Sequence, residues 1–393
     1  MGNHRIAMRR SVGNQNIGIS LSGGGIRAAI FHLGVLKWLA ENNELENIRH
    51  ISSVSGASLA IGLIYARNHY RWPDSCLYLG RTLPKVRDTI LNNNIQQDSI
   101  FSLIETPWKW NQKVNVLAHV IEKKWGVRGQ ICDLPLTPLW SINCTTFETG
   151  NNFRINQKQM GDYKIGYVSH PQMSISDAIS ASAGFPVLIG AYKLSIDDYQ
   201  WATLLKKTES HSSSLPSPAL KDWKYLHLWD GGVYDNLGLE ALYKISDGGH
   251  LTGDLDFLIV SNASSPSSYR KWDNLFSPRN LRQLLGINMD QVVSLRSRDV
   301  IDYFLRTQKG YYVQIGSKKK HIFAFSSSSL PAFKSGTLPM LSEKEIERVK
   351  HYPTTLKSPS EEDFNLILNH GYETAKYTEL CYYSPYAENQ SKI

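Results

Sequence analysis

Residues 17–27 read Ile17-Gly18-Ile19-Ser20-Leu21-Ser22-Gly23-Gly24-Gly25-Ile26-Arg27. The first five alternate branched apolar and small residues, which predicts a short strand. A glycine cluster follows, and then residues 28–40, where Ile30, Phe31, Leu33, Val35, Leu36 and Leu39 keep close to helical spacing. Residues 49–54 give a second strand and residues 58–66 an apolar helix. This strand–helix–strand–helix order predicts an α/β fold, a parallel sheet with helices packed on it.

Farther along, residues 140–146, 152–156, 164–168, 225–229 and 256–260 read as strands, and residues 174–182 as a small-residue helix ended by Gly184 and Pro186. Between residues 70 and 127 the pattern changes. Trp72, Trp108, Trp110 and Trp125 stand among polar, helix-compatible residues, which predicts an inserted helical layer or lid. Residues 208–218 are rich in Ser and Pro and read as a surface loop. An amphipathic helix over 280–306, a pair of strands at 311–315 and 322–325, and helices over 342–350 and 360–381 complete the chain. The expected division is an N-terminal arm (1–15), a main domain (16–261) and a C-terminal extension packed on it (262–393).

Composition narrows the classes. The 393 residues are 41% apolar and 20% charged, enough for a sizeable core and against global disorder. The longest unbroken apolar run, residues 59–66, falls far short of the roughly 20 residues of a spanning helix. Arg5, Arg9 and Arg10 are followed by no apolar stretch, so a secretory leader is not expected. Cys76, Cys132, Cys144 and Cys381 show no C-x-x-C pairing and no His at zinc-ligand spacing, so neither a metal module nor a disulfide scaffold is expected. The net charge of +8, with Lys318-Lys319-Lys320 its one tight triplet, favours an anionic partner: lipid headgroups, nucleic acid or a nucleotide.

Three turns carry chemistry. Gly23-Gly24-Gly25 lets backbone N–H groups point outward at a helix N-terminus, where they bind a phosphate or the oxyanion of acyl transfer. Arg27 is placed to fix that loop by hydrogen bonds to neighbouring carbonyls. Gly23, Gly25 and Ala28 also fit the G-x-G-x-x-A dinucleotide fingerprint, but the next strand runs into Ser52-Ser53-Val54-Ser55-Gly56 and lacks the acidic residue that would hold a ribose. In the second turn, Ser53-Val54-Ser55-Gly56-Ala57-Ser58, a strand ends among small residues and a helix begins. That is the setting of a nucleophile elbow. Ser55 sits at the strand end, whereas Ser58 falls inside the helix, so Ser55 is the preferred nucleophile. The third turn is Asp230-Gly231-Gly232, again after a strand, and Asp230 is in position to supply the base that serine activation needs.

In combination these elements resemble the patatin-like phospholipase family, bacterial type. The resemblance rests on Gly23-Gly24-Gly25-Ile26-Arg27, on Ser53-Val54-Ser55-Gly56-Ala57, on Ala178-Ile179-Ser180-Ala181-Ser182 through Pro186, and on Asp230-Gly231-Gly232, in the family's order. Phe31-His32-Leu33-Gly34, Pro353-Thr354 and Asn369-His370-Gly371-Tyr372 are similar to the bacterial members as well. The resemblance implies a three-layer α/β/α fold and a Ser55–Asp230 dyad with no histidine, metal or other cofactor. It implies an oxyanion hole at Gly23, Gly24, Gly25 and Arg27, with Ser53, Gly56, Ala57, Gly231 and Gly232 supporting the motifs. Ala57 departs from the family's usual Gly. The resemblance further implies a phospholipid substrate, peripheral contact with the inner face of the membrane, and no nucleic-acid partner. Bacterial members include anti-phage effectors switched on by cyclic nucleotides, so a gating nucleotide or protein partner is an expectation too. A non-catalytic lipid-binding scaffold on the same fold is the rival reading.

Overall fold

The computed structural model describes residues 15–184, 190–202, 220, 223–265, 272, 277–323 and 340–383. The strands, in chain order, are β1 (Ile17–Leu21), β2 (Ile48–Val54), β3 (Leu139–Thr146), β4 (Asn152–Ile155), β5 (Gln159–Asp162), β6 (Gly166–Ser169), β7 (Tyr192–Ser195), β8 (Tyr225–Asp230), β9 (Phe257–Asn262) and β10 (Gly310–Gln314). The helices are α1 (Gly25–Glu41), α2 (Gly56–Arg67), α3 (Leu83–Asn92), α4 (Ile95–Glu105), α5 (Lys113–Trp125), α6 (Ile175–Ser182), α7 (Pro278–Thr307), α8 (Glu343–Lys350) and α9 (Glu361–Tyr383).

These ten strands join one sheet, in the order β10-β9-β1-β2-β3-β4-β5-β6, with β8 also on β3 and β7 on β8; a two-residue pair, Tyr243–Lys244 with His250–Leu251, stands apart from it. From β10 to β3 the pairing is parallel; β4, β5, β6, β7 and β8 add antiparallel strands. Every residue of β1 is buried, as a parallel strand covered on both faces requires. Alternate side chains of β9 serve two layers. Phe257 and Ile259 pack into the larger core with α1, α2 and α9, while Leu258 and Val260 meet Leu237, Tyr243 and the α7 residues Val300, Tyr303 and Phe304. The sheet thus lies between two helical layers, the α/β architecture read from the sequence.

Register at β3 brings the site together. β2 ends with Val54 opposite Asn143, and one residue on, Cys144 is opposite Asp230 of β8. β8 therefore takes up the edge of β3 where β2 leaves it. The residue after β2, Ser55, and the last residue of β8, Asp230, meet at that junction.

Residues 70–127 are helical, as expected, but the four tryptophans diverge. Trp125 is buried, Trp72 is half-buried with its Nε1–H on Leu45 O at 3.0 Å, and Trp108 and Trp110 are 75% and 54% exposed. The expected strand at 322–325 is corrected. Residues Lys319–Phe323 form a short helix, closed by His321 N–H and Ile322 N–H donating to Lys318 O at 2.8 and 3.2 Å; residues 324 and 325 lie outside the described residues. Strands β5 and β7, Gln-Met-Gly-Asp and Tyr-Lys-Leu-Ser, carry no expectation from the sequence, because neither holds a β-branched residue. The long amphipathic helix is α7, yet its first buried side chain is Val300; residues 279–299 have no fully buried face. The Ser/Pro loop, Pro186 and the N-terminal arm apart from residue 15 lie outside the described residues.

Candidate active site

Ser55 joins β2 to α2 at φ 53°, ψ −118°, a conformation that side chains other than glycine rarely adopt and that marks a nucleophile elbow. The following residue has to be glycine: a Cβ on Gly56 would stand 2.0 Å from the carbonyl oxygen of Gly25, which crosses over it. Ala57 begins the buried first turn of α2, where its methyl is accommodated without exposure.

A directional hydrogen-bond chain holds the elbow. Ser182 Oγ donates to Asn143 O at 2.7 Å and accepts the Ser55 backbone N–H at 2.9 Å. Its proton being engaged, Ser58 Oγ donates to it at 3.0 Å; Ser53 Oγ in turn donates to Ser58 at 2.9 Å and accepts from Trp140 Nε1 at 2.8 Å. All three hydroxyls are buried. Ser58 is therefore a fixed link, and the second nucleophile frame loses its geometric basis.

Asp230 is buried, and burial pushes its carboxyl up to about 6. The Gly232 N–H on Oδ1 at 2.7 Å and a hydrogen bond with the Ser55 side chain pull in the opposite direction. Its backbone is clamped as well, N–H to Gly184 O at 2.9 Å and carbonyl to Thr145 Oγ1 at 3.0 Å. A carboxylate of this kind is ionised at neutral pH yet basic enough to take a proton.

The glycine loop separates into engaged and available donors. Gly23 N–H donates to Asn236 O at 3.1 Å and Ile26 N–H to Thr355 O at 2.8 Å. Gly23 is thus corrected as an oxyanion donor: it anchors the loop. The N–H groups of Gly24 and Gly25 donate to no acceptor among the described residues. Gly25, at φ 64°, also lies where a Cβ would meet Thr355 O at 2.6 Å, so only glycine fits. Arg27 braces the loop as the sequence suggested, its guanidinium donating to Tyr352 O and, at 3.2 Å, to Ala263 O. It is buried with no carboxylate partner among the described residues, and desolvation lowers it to about 10.

Ser55, Asp230, the three glycines and Arg27 open into one cavity of about 770 Å³. Its other walls are mostly apolar: Ile100, Leu103 and Ile104 of α4, Leu117 of α5, Met289 and Val293 of α7, and Leu356. Asn236, Gln96 and Thr355 border it too, and their part was not read from the sequence, although Pro353-Thr354 had been noted. A second cavity, about 430 Å³ between β3, β8 and α7, contains none of the dyad or loop residues.

The histidines stand elsewhere. His32 is buried between Ser22 O and Ser261 Oγ, both at 2.9 Å, and burial lowers it to about 4. His227 points away from Asp230 and pairs with Glu148 at 2.7 Å. No histidine borders the cavity among the described residues, and none of their His, Cys, Asp or Glu side chains group as a metal site.

A serine at a strained strand-to-helix turn thus shares one cavity with a buried carboxylate and with two backbone N–H groups that have no acceptor among the described residues. Residues 19–243 match the family described as Patatin-like phospholipase, more than half of the chain, and the protein belongs to that family. Human GIVD cytosolic phospholipase A2 shares its fold at 14% identity and a TM-score of 0.50, over 93% of this chain and 59% of that one. VipD from Legionella pneumophila is similar at 14% identity and a TM-score of 0.38, over 94% of this chain and 67% of that one. The chain spans about three fifths of the human enzyme's length. No curated protein sequence matches it.

Proposed function

We propose that the protein hydrolyses fatty-acyl esters of membrane glycerophospholipids through a Ser55–Asp230 dyad. Asp230 accepts the Ser55 proton as Oγ attacks the ester carbonyl, and the Gly24 and Gly25 N–H groups receive the oxyanion. The tetrahedral intermediate collapses to an acyl-enzyme, and the alcohol leaves with the proton from Asp230. Water, deprotonated by the same carboxylate, then attacks the acyl carbon and frees Ser55. The observation that carries this reading is that Ser55, at a strained strand-to-helix turn, and buried Asp230 line one mostly apolar cavity.

Peripheral membrane contact is part of the reading. Ile104 and Trp110 line the cavity and are exposed, Phe101 and Trp108 are exposed close to them in the chain, and Lys109 and Lys113 stand in the same stretch. No described helix is long and apolar enough to cross a membrane. The cytoplasmic site of action, and gating by a cyclic nucleotide in anti-phage defence, rest on the family resemblance alone.

Lipid hydrolysis by the wild type and by Ser55→Ala, with and without candidate cyclic nucleotides, is the test. A fluorophosphonate probe labels the wild type and not Ser55→Ala. A folded wild type that takes no label and releases no fatty acid with any candidate would leave the non-catalytic lipid-binding scaffold.

A further inference from the structure

Two cations from different helices, Lys113 and Arg282, line the cavity together with one further carboxylate, Asp290, and the catalytic steps use none of the three. Lys113 begins α5, and its Nζ lies 5.1 Å from the centre of the Trp110 ring. The ring holds the ammonium at the mouth by a cation–π contact without neutralising it. Arg282 comes from the part of α7 that has no fully buried face. Neither cation makes an ion pair with a carboxylate among the described residues, in contrast to Arg296 farther along α7, which pairs with Asp235 and Glu240 at 3.5 and 3.6 Å. The same cavity holds the apolar side chains of α4, α5 and α7 and Ser55.

A cavity that needed only to bind an acyl chain has no use for Lys113 and Arg282, which with Arg27 outnumber the carboxylates Asp230 and Asp290 in its lining. A glycerophospholipid does have a use for them. Its ester carbonyl and its phosphate diester are joined by a short glycerol backbone, so an ester at Ser55 leaves the phosphate near the entrance. We propose that Lys113 and Arg282 form the subsite for the phosphate diester of the headgroup, which selects phospholipids over neutral acylglycerols. This rests on the acyl-hydrolase reading for the substrate but assigns two residues of different role.

The test uses dihexanoyl phosphatidylglycerol and dihexanoylglycerol as dispersed monomers, so that no bilayer intervenes. Losing a charge-assisted contact on each side lowers the ratio of kcat/KM, phospholipid over neutral lipid, by at least about tenfold in Lys113→Gln/Arg282→Gln. The charge-keeping double variant Lys113→Arg/Arg282→Lys restores most of it. An equal fall for both substrates, or a ratio unrescued by the swap, overturns the subsite. Calorimetric binding of dihexanoyl phosphatidylglycerol to Ser55→Ala needs no turnover, so it separates failure of the subsite from failure of the hydrolase reading. There, Kd rises about tenfold or more when the two cations are removed. Free sn-glycerol 3-phosphate is the second arm: equal affinity for it and for the lipid, both dependent on the cations, would mark a site for soluble phosphate esters and overturn the headgroup assignment.

Discussion

The hydroxyl of Ser182 accepts the backbone N–H of Ser55 at 2.9 Å, so a residue of α6 holds the strained turn that exposes the candidate nucleophile. Replacing Ser182 by Ala leaves that N–H and the Ser58 hydroxyl without their partner. We expect a loss of about 1–3 kcal/mol in stability, together with a fall in kcat at nearly constant KM. Chemical denaturation and steady-state kinetics on a soluble ester check both. An unchanged kcat in a folded variant would show that the turn holds its shape without α6.

Ser58→Ala interrupts the same chain one link away without touching the reacting oxygen. It should lose stability in a similar range and keep hydrolysis within about tenfold of wild type, a smaller loss than that of a general base. Ser55→Ala should be inert toward substrate and probe with little change in melting temperature. The reverse pattern would move the nucleophile to Ser58.

Asp230 supplies a pH dependence with a definite sign. With its carboxyl at about 6, the rate should rise through that pH and level off above it. Stability runs the other way. The folded-state value lies above the unfolded 3.8, so the folded chain binds the proton more tightly, and stability falls as pH rises from about 4 to about 6. At neutral pH that costs on the order of 3 kcal/mol. Asp230→Asn should therefore lose about 10²-fold or more in rate, yet melt at a higher temperature than wild type at pH 8. That gap should close in acid. An Asn variant less stable at pH 8 would mean that the charge is not a burden on the fold.

Exposure of Trp108 and Trp110 separates two uses of tryptophan. Replacing both by Ala should weaken hydrolysis of anionic vesicles by roughly tenfold or more, from the apolar area no longer inserted, with little effect on a small soluble ester or on the melt. Raising ionic strength should reduce the vesicle reaction and spare the soluble one. Parallel losses in both assays and in the melt would instead assign these rings to packing.

Gly34 and Gly371 let α1 and α9 approach backbone to backbone: a Cβ on Gly371 would stand 2.1 Å from Phe31 O, and one on Gly34 2.0 Å from Leu368 O. Gly371→Ala should cost about 1–3 kcal/mol or more, measured by denaturation. A neutral result would mean that the crossing opens at little cost.

The geometry of the candidate site was legible wherever it is carried by contiguous residues. Strand, turn and helix order placed Ser55 at an elbow and Asp230 at a strand end, because small residues and glycines at those points have few other uses. The chain Trp140–Ser53–Ser58–Ser182–Asn143 was not legible, since its links come from separate elements and serine is common everywhere. The role of Gly23 was likewise hidden: three identical residues do not say which N–H already has an acceptor, and Asn236 O decides that. At 322–325 a short apolar run suggested a strand, but over Lys319–Phe323 the turn hydrogen bonds to Lys318 O close a helix instead. The glycines of α1 and α9 stood in the sequence as two unconnected patches, and only their packing shows that each is small for the sake of the other.

Ile26 hands its N–H to Thr355, and Arg27 reaches Tyr352, so the wall behind the oxyanion donors is built from chain made some 330 residues later. Gln96 grips the same segment, accepting from Leu356 N–H at 3.0 Å. During synthesis the serine, the aspartate and the glycines all emerge before the strut that fixes their loop. A growing chain therefore carries these groups unassembled, and the candidate site is complete only once Thr355 has left the ribosome and docked. If the proposed hydrolysis holds, order of synthesis is a form of containment, and a chain truncated before Tyr352 should be folded in part and without action on membranes.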